Sequence, residues 1–218
     1  MTAQPPPTPA ALSRLAGILL RRPPSCGPVR LVAVDGHAGS GKSTFADRLA
    51  EALGGAPVLR LDDIASHDEL FGWTERLRRQ VITPLSHGET AHYETYDWNA
   101  RRFGPDVRTL PPAPVIIIEG VGAGRRALRP FLARLLWMEL PQGEAWGRGR
   151  HRDGTVQSEF WDQWEPAERR HFAKDPSRPF AQTLVRQWRE GYEVLPGPDE
   201  TAAQSQTVTQ RDGPSAVR

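Results

Sequence analysis

The sequence predicts an α/β fold in which a parallel sheet is covered by helices on both faces. Apolar runs of strand length alternate along the chain with segments that repeat apolar residues at helical spacing. The run Val115–Glu119 is apolar enough to be a central strand buried on both faces. A glycine-rich loop at residues 36–43 lies directly between a strand-like run and a helix-like segment.

The predicted elements follow one another in an alternating order. The predicted strands are residues 29–35, 57–61, 115–119 and 135–139. The predicted helices are residues 11–22, 44–53, 74–85, 144–152 and 160–174. Residues 183–185 fit a last strand and a helix equally well, so this segment stays open between the two.

Three regions follow from these elements. Residues 1–28 are expected to be a proline-rich segment with one short helix, which Pro23 and Pro24 end. Residues 29–195 are expected to form the main domain. Residues 196–218 contain turn residues without apolar periodicity, and we predict a disordered tail there.

Composition excludes several functional classes. The chain has 218 residues, which suits one α/β domain, and a net charge of +2, which argues against a strongly basic nucleic-acid binder. No apolar run approaches the length of a membrane span, and no secretory signal layout is present. The single cysteine, Cys26, excludes an internal disulfide and fits a reducing compartment. We therefore expect a cytoplasmic protein that binds neither nucleic acid nor membranes, and no feature indicates an oligomeric state.

The glycine-rich loop has the pattern G-x-x-x-x-G-K-S of a phosphate-binding P-loop. Glycines let backbone N–H groups surround phosphate oxygens, and the helix N-terminus adds positive partial charge. In this motif Lys42 contacts the β- and γ-phosphates, and the Ser43 hydroxyl ligates Mg²⁺. Only Lys42 and Lys174 are lysines among 28 basic residues, which argues against an incidental lysine. The predicted nucleotide-binding residues are Gly36, His37, Ala38, Gly39, Ser40, Gly41, Lys42, Ser43 and Thr44.

Carboxylates end two further predicted strands. Ligands in parallel sheets bind at the carboxyl ends of the strands, where Asp62, Asp63 and Glu119 are expected to lie. Such a carboxylate can hold Mg²⁺ through water or take a proton from an attacking hydroxyl. The two aspartates also fit a helix cap or a solvated turn. Glu119 follows four apolar residues, so it is expected to be close to burial and to need a partner.

Two other segments suit a nucleotide enzyme. Residues 93–98 carry three aromatic side chains, which we place on a loop; the rings suit stacking on a base or anchor the loop to the core. Residues 148–154 are rich in arginine, which suits a transferring phosphoryl group or forms a solvated helix face. We expect no chemistry from His37, and we expect Glu165, Glu168 and the pair Trp161 and Trp164 to belong to a packing helix.

In their order along the chain, these motifs resemble those of uridine kinases, in the uridine kinase/phosphoribulokinase group of P-loop kinases. The resemblance spans roughly residues 29–175. It is carried by V-D-G-H-A-G-S-G-K-S at residues 34–43, L-D-D at 61–63, Y-D-W at 96–98, I-E-G at 118–120 and R-x-x-x-R-D-G at 148–154. The chain departs from many relatives at residues 64–66, where an aromatic residue is common, so the acceptor stays open.

The resemblance implies an adenylate-kinase-like core with five parallel strands, flanking helices and a short mobile lid, and it implies ATP and Mg²⁺ as cofactors. It assigns Asp62 as the catalytic aspartate and Ser43 and Glu119 as magnesium-side residues. It assigns Arg148 and Arg152 as lid arginines that act together with Lys42. Tyr96 and Trp98 match the aromatics of the nucleobase pocket, and we place Asp63 beside them in substrate binding.

We therefore expect an ATP-dependent kinase for a small-molecule hydroxyl, first of all the 5′-hydroxyl of uridine or cytidine. One alternative is a kinase of another small metabolite, such as pantothenate or a sugar. Another is an ATP-binding regulatory module without turnover, which the intact Lys42, Ser43, Asp62 and Glu119 argue against.

Overall fold

A six-stranded, mostly parallel sheet forms the centre of the molecule, which the computed structural model describes over residues 8–188 and 191–200. The strands are β1 (Arg30–Asp35), β2 (Val58–Arg60), β3 (Ala91–Asp97), β4 (Arg102–Leu110), β5 (Val115–Glu119), β6 (Leu132–Met138), β7 (Thr183–Trp188) and β8 (Gly191–Pro196). The main sheet has the order β2-β5-β1-β6-β7-β8, and β3 and β4 form a separate antiparallel hairpin. The predicted α/β class is confirmed.

Helices cover the sheet. They are α1 (Thr8–Leu20), α2 (Lys42–Ala52), α3 (Thr74–Leu77), α4 (Thr83–Ser86), α5 (Gln142–Asp153) and α6 (Ser158–Lys174). A π-helical turn at Arg78–Ile82 joins α3 to α4, so the periodicity over residues 74–85 correctly predicted one helical segment. Within the described residues, no helix combines the length and the apolar character that crossing a bilayer requires.

Strand β1 shows why the sheet needs a helical layer on each face. Successive side chains of a strand point to opposite faces. Leu31 and Ala33 pack in a core with the helical segment of residues 74–86 and the hairpin, whereas Val32 and Val34 pack with α1 and α2. Both sets are fully buried, which is why this strand is a continuous apolar run rather than an alternating one.

The register of the parallel strands brings their carboxyl ends to one edge. Glu119 of β5 is paired with Val34 of β1 on one side and with Arg60 of β2 on the other. The residues that follow these strands therefore lie side by side, as the rule for ligand sites in open α/β sheets requires.

One predicted segment is wrong, and the sheet has one strand more than expected. Residues 93–98 are not a loop: residues 93–97 belong to β3 of the hairpin, and Trp98 follows directly. The register shifts between Glu94 and Tyr96, which breaks the period-two pattern that would have identified a strand. The expected five parallel strands are present, but β8 adds a sixth strand that pairs with β7 in antiparallel orientation.

The open segment at residues 183–185 is a strand, within β7. Pro196, where the tail was predicted to begin, is the last residue of β8. The described part of the predicted tail continues to Glu200, which pairs with Arg134 of β6, so this part is not disordered. Residues 201–218 of the predicted tail and residues 1–7 of the proline-rich segment lie outside the described residues.

Candidate active site

The P-loop connects β1 directly to α2, which begins at Lys42. Gly36, Gly39 and Gly41 have φ angles of +152°, +82° and +88°, which only glycine adopts without strain. Space is also limiting at Gly39, where an added Cβ would lie 2.0 Å from the carbonyl oxygen of Ala145 in α5. The loop therefore needs these glycines for its backbone shape and for its close approach to α5.

Asp35, the last residue of β1, ties the P-loop to the turn that follows β5. Its carboxylate is fully buried and accepts hydrogen bonds from the N–H groups of Gly36, Gly122 and Gly124 at 2.7, 2.8 and 2.8 Å. Burial of a carboxylate is tolerated when its lone pairs are satisfied in this way. Asp35 thus fixes the P-loop relative to the adjacent turn.

We expect Asp35→Ala to lower the free energy of unfolding by about 3–4 kcal/mol, because three buried N–H groups lose their acceptor. Urea denaturation followed by circular dichroism measures the change. Asp47→Ala is the control, since Asp47 pairs with Arg60 at an exposed position and should cost about 0–1 kcal/mol. Equal effects of the two variants would contradict the proposed role of Asp35.

One cavity of about 540 Å³ opens at the carboxyl ends of the strands. It brings together most of the predicted site residues, namely Ala38, Gly39, Gly41, Lys42, Ser43, Thr44, Asp62, Trp98, Glu119, Arg148 and Arg152. The other predicted residues, Gly36, His37, Ser40, Asp63 and Tyr96, are not part of its lining. The segments predicted separately along the chain therefore meet at one place.

Glu119 lines this cavity together with the P-loop and is almost fully buried. Burial raises the pKa of its carboxyl group, while the Lys42 ammonium, the Arg60 guanidinium and a hydrogen bond from Ser43 oppose the rise. The Arg60 Nη1–Glu119 Oε2 distance is 3.2 Å. A buried carboxylate beside a serine hydroxyl, open to a cavity, presents the hard oxygen ligands that suit Mg²⁺ together with phosphate oxygens and water. The residues present therefore fit the metal that the motif implies.

The neighbouring aspartates have different surroundings. Both belong to a 3-10 turn, Leu61–Asp63, directly after β2. Asp62 is exposed and lines the cavity. Asp63 accepts a hydrogen bond from Arg108 of the hairpin at 2.7 Å, and burial raises the pKa of its carboxyl group. Asp62 is thus free to face a substrate, whereas Asp63 joins the turn to the hairpin.

The far end of the cavity is aromatic. Trp98 lines it and donates its indole N–H to the backbone carbonyl of Asp62 at 2.9 Å. His67, which sequence analysis did not select, also lines it and lies 4.8 Å from the Trp98 ring centroid. Tyr96 is buried behind them, with its hydroxyl 2.9 Å from His67 Nδ1 and its ring edge-on to Trp98. Trp98 and His67 therefore form the wall, and Tyr96 supports it.

Both predicted lid arginines project from α5 into the cavity lining. Arg148 pairs with Glu144 at 2.8 Å and Arg152 pairs with Asp153 at 2.6 Å, and both arginines are exposed. The Asp62 carboxylate lies close enough to Arg152 to help raise the pKa of its guanidinium, after the larger effect of the hydrogen bond to Asp153. Exposed ion pairs of this kind contribute little free energy, so either guanidinium can exchange its carboxylate for a phosphate.

A contact between α6 and the P-loop could not be predicted from the sequence. Glu168, expected to be a packing residue, is fully buried and binds the P-loop with both carboxylate oxygens. His37, for which no chemistry was expected, is one of its partners. The two residues are 131 positions apart, and each is unremarkable in its local sequence, so no local signal could have revealed the pair.

Solved structures of other proteins share this architecture. The chain superposes on a possible uridine kinase from Bacillus stearothermophilus with a TM-score of 0.52 and 21% identity, over 73% of this chain and 95% of the other. It superposes on a provisionally assigned fructose transport system kinase from Silicibacter with a TM-score of 0.56 and 26% identity, over 66% of this chain and 81% of the other. The chain has the P-loop kinase fold. No protein-family model and no curated protein matches it.

Within the P-loop kinase fold, the cavity has the expected position. It lies at the P-loop and at the carboxyl ends of β5 and β2, which lie on the same side of β1, and α5 and α6 form the arm beside it. The fold alone does not define the phosphoryl acceptor, because one fold serves many substrates. The acceptor must therefore be argued from the side chains of the cavity.

Proposed function

We propose that this protein is an ATP-dependent kinase that transfers the γ-phosphoryl group to the hydroxyl of a small molecule, most specifically the 5′-hydroxyl of a pyrimidine nucleoside. One observation carries the proposal. A P-loop lysine, a strand-end aspartate, two α5 arginines and an aromatic wall all line the same cavity, and phosphoryl transfer needs groups of these kinds. Each feature is found in other proteins, but together they match a donor site joined to an acceptor site.

In the proposed reaction the acceptor oxygen attacks the γ-phosphorus, and the bond between that phosphorus and the β–γ bridging oxygen breaks, releasing ADP. Asp62 accepts the proton of the attacking hydroxyl. Lys42 and the P-loop N–H groups hold the donor phosphates, while Arg148 and Arg152 stabilise the charge that spreads over the transferring group. Mg²⁺, when bound, would neutralise phosphate charge, held by Ser43 and by Glu119.

The aromatic wall supports a nucleoside as acceptor. Trp98 and Phe160 both line the cavity, and their ring centroids lie 5.8 Å apart. A flat base can stack on such rings, and the Trp98 hydrogen bond to the Asp62 carbonyl connects the base end to the proposed catalytic residue.

A sugar is the second candidate acceptor. The cavity lining includes two carboxamides, Asn99 and Gln157, which suit hydroxyl groups. The likeness to the Silicibacter kinase, assigned to fructose transport, supports the same candidate. A kinase of another small metabolite, such as pantothenate, uses the same donor site and differs only in the acceptor.

An ADP-release assay with Mg²⁺ and ATP tests these proposals. Uridine, cytidine, fructose and pantothenate are supplied separately, and each product is identified by mass spectrometry. Turnover with a nucleoside supports the first proposal, and turnover only with a sugar or pantothenate replaces its acceptor. ATP binding without turnover on a broad panel would indicate a regulatory module and refute the kinase assignment.

We expect Trp98→Ala to raise KM for a nucleoside by roughly ten- to a hundredfold, because stacking on one aromatic ring is worth about 1–3 kcal/mol per base. Trp98→Phe keeps a ring but loses the hydrogen bond to Asp62, so it should retain most of the affinity and lose turnover. Steady-state kinetics with the accepted nucleoside measures both variants.

Val107→Ala is the matched control, because Val107 is exposed on the same hairpin and is not part of the cavity lining. It should leave KM and kcat at their wild-type values. A Trp98→Ala enzyme with an unchanged nucleoside KM would exclude Trp98 from the base site.

A further inference from the structure

A buried carboxylate of α6 binds the first half of the P-loop. Glu168 Oε1 lies 2.7 Å from His37 Nδ1, and Glu168 Oε2 accepts hydrogen bonds from the Ala38 N–H at 3.2 Å and the Trp164 indole N–H at 2.7 Å. Burial by itself would raise the pKa of Glu168, but the hydrogen bonds from His37 and Trp164 bring it below its ordinary value. The side chain is therefore an ionised acceptor, and His37 donates its Nδ1–H.

His37 is the junction between this carboxylate and Lys42. Its backbone carbonyl accepts a hydrogen bond from Lys42 Nζ at 2.9 Å. Its ring is held edge-on by Trp137 and Phe172, at centroid distances of 5.4 and 5.2 Å. The ring position thus fixes the carbonyl to which the P-loop lysine binds.

A purely structural contact would not need a charge at position 168. Burying an ionised carboxylate is costly, and apolar residues of similar size often stabilise a fold as well or better. A carboxylate with two defined oxygens instead fixes direction, since one oxygen orients the His37 ring and the other holds the Ala38 N–H. The carboxylate therefore orients the part of the P-loop whose displacement would move Lys42.

The same helix also forms the cavity wall. Trp161 and Trp164 line the cavity, and Glu168 follows them on the same face of α6 at helical spacing. Trp161 packs against α5 so closely that a Cβ at Gly149 would lie 2.3 Å from its ring, and α5 in turn abuts Gly39. The P-loop is therefore held by α6 at residues 37 and 38 and by α5 at residue 39.

We propose that Glu168 and His37 are positioning residues that act through Lys42: the hydrogen bond between them sets the His37 carbonyl, which places the lysine for the donor phosphates. This inference rests on the proposed function in that Lys42 must bind a nucleotide phosphate. It goes beyond that function because it assigns a role in donor binding to Glu168, a residue of the arm that is not part of the cavity lining.

The test measures binding of Mg·ATP by isothermal titration calorimetry, so it does not depend on the acceptor. Glu168→Gln keeps the shape of the side chain but loses its charge, and we expect its Kd for Mg·ATP to rise about tenfold. His37→Asn should cause a similar rise. In a Lys42→Ala background, Glu168→Gln should cause no additional loss, because residues that act as a unit are not additive.

Glu165→Gln is the matched control on the same helix. Glu165 pairs with Arg150 at 2.6 Å away from the P-loop, so its loss should leave Kd within roughly a factor of two. Thermal unfolding confirms that each variant is folded, and His37→Asn replaces Glu168→Gln if the latter fails to fold.

Wild-type affinity in a folded Glu168→Gln protein would overturn the inference, as would an equal loss in the presence and absence of Lys42. Wild-type protein that binds no Mg·ATP would refute the proposed function and this inference with it. The first two results leave the kinase assignment untouched, so the two failures are distinguishable.

Discussion

Lys42→Ala should lower kcat by about 10²–10³, the effect of removing one preorganised group that stabilises transition-state charge. Lys42 begins α2, is almost fully buried and lines the cavity beside Ser43 and Glu119. Its removal takes away the side-chain cation that we place beside the donor phosphates. The arginines of α5 reach the cavity from a different element, so they do not replace Lys42. Steady-state kinetics with saturating ATP and the accepted substrate measures the loss.

The other lysine of the chain provides the control. Lys174 ends α6 and is exposed, so Lys174→Ala should leave kcat unchanged. Because the Lys42 ammonium also binds the His37 carbonyl, Lys42→Ala should cost about 1 kcal/mol of stability but retain the fold. An unchanged kcat in folded Lys42→Ala protein would refute the donor-site assignment.

Asp62→Asn should lower kcat by about 10²–10⁴, the range for loss of a general base. Asparagine keeps the shape of the side chain but does not accept the proton of the attacking hydroxyl. The affinity for ATP should stay near wild type, because the proposed contact of Asp62 is with the acceptor. Single-turnover kinetics separates the chemical step from binding.

Asp63→Asn is the natural control, because it changes the adjacent residue in the same way. Asp63 pairs with Arg108 across an exposed contact, and its loss should cost at most about 1 kcal/mol of stability. If Asp63→Asn instead abolishes turnover while Asp62→Asn retains it, the choice of base within the pair is wrong.

The P-loop and the central strand could be predicted because their causes are local. A P-loop is defined by its backbone conformation, and that conformation requires glycines and a lysine at fixed spacing, so the spacing predicts the loop. The burial of Val115–Glu119 could be predicted because a strand that is covered on both faces is a continuous apolar run without polar alternation. The helical segments followed from apolar periodicity, including the one at residues 74–86 that contains a π-helical turn.

The hairpin and the sheet edge could not be predicted, for two physical reasons. In β3 the register shift between Glu94 and Tyr96 breaks the alternation on which strand prediction depends. In β7 the last three residues are exposed and polar or aromatic, because this end of the strand extends beyond the core and pairs with β8 alone. Without burial on one face, these residues leave no hydrophobic pattern in the sequence.

The sequence by itself determined the phosphate-binding loop, the parallel sheet and the set of strand-end carboxylates, because each depends on neighbouring residues and on backbone geometry. Only the tertiary structure decided the surroundings of each carboxylate. Asp62 faces the cavity because the hairpin brings Arg108 to Asp63, and Glu168 holds the P-loop because α6 crosses over it. These partners are 45 and 130 residues apart, and contacts at such separations depend on how whole elements pack rather than on local sequence.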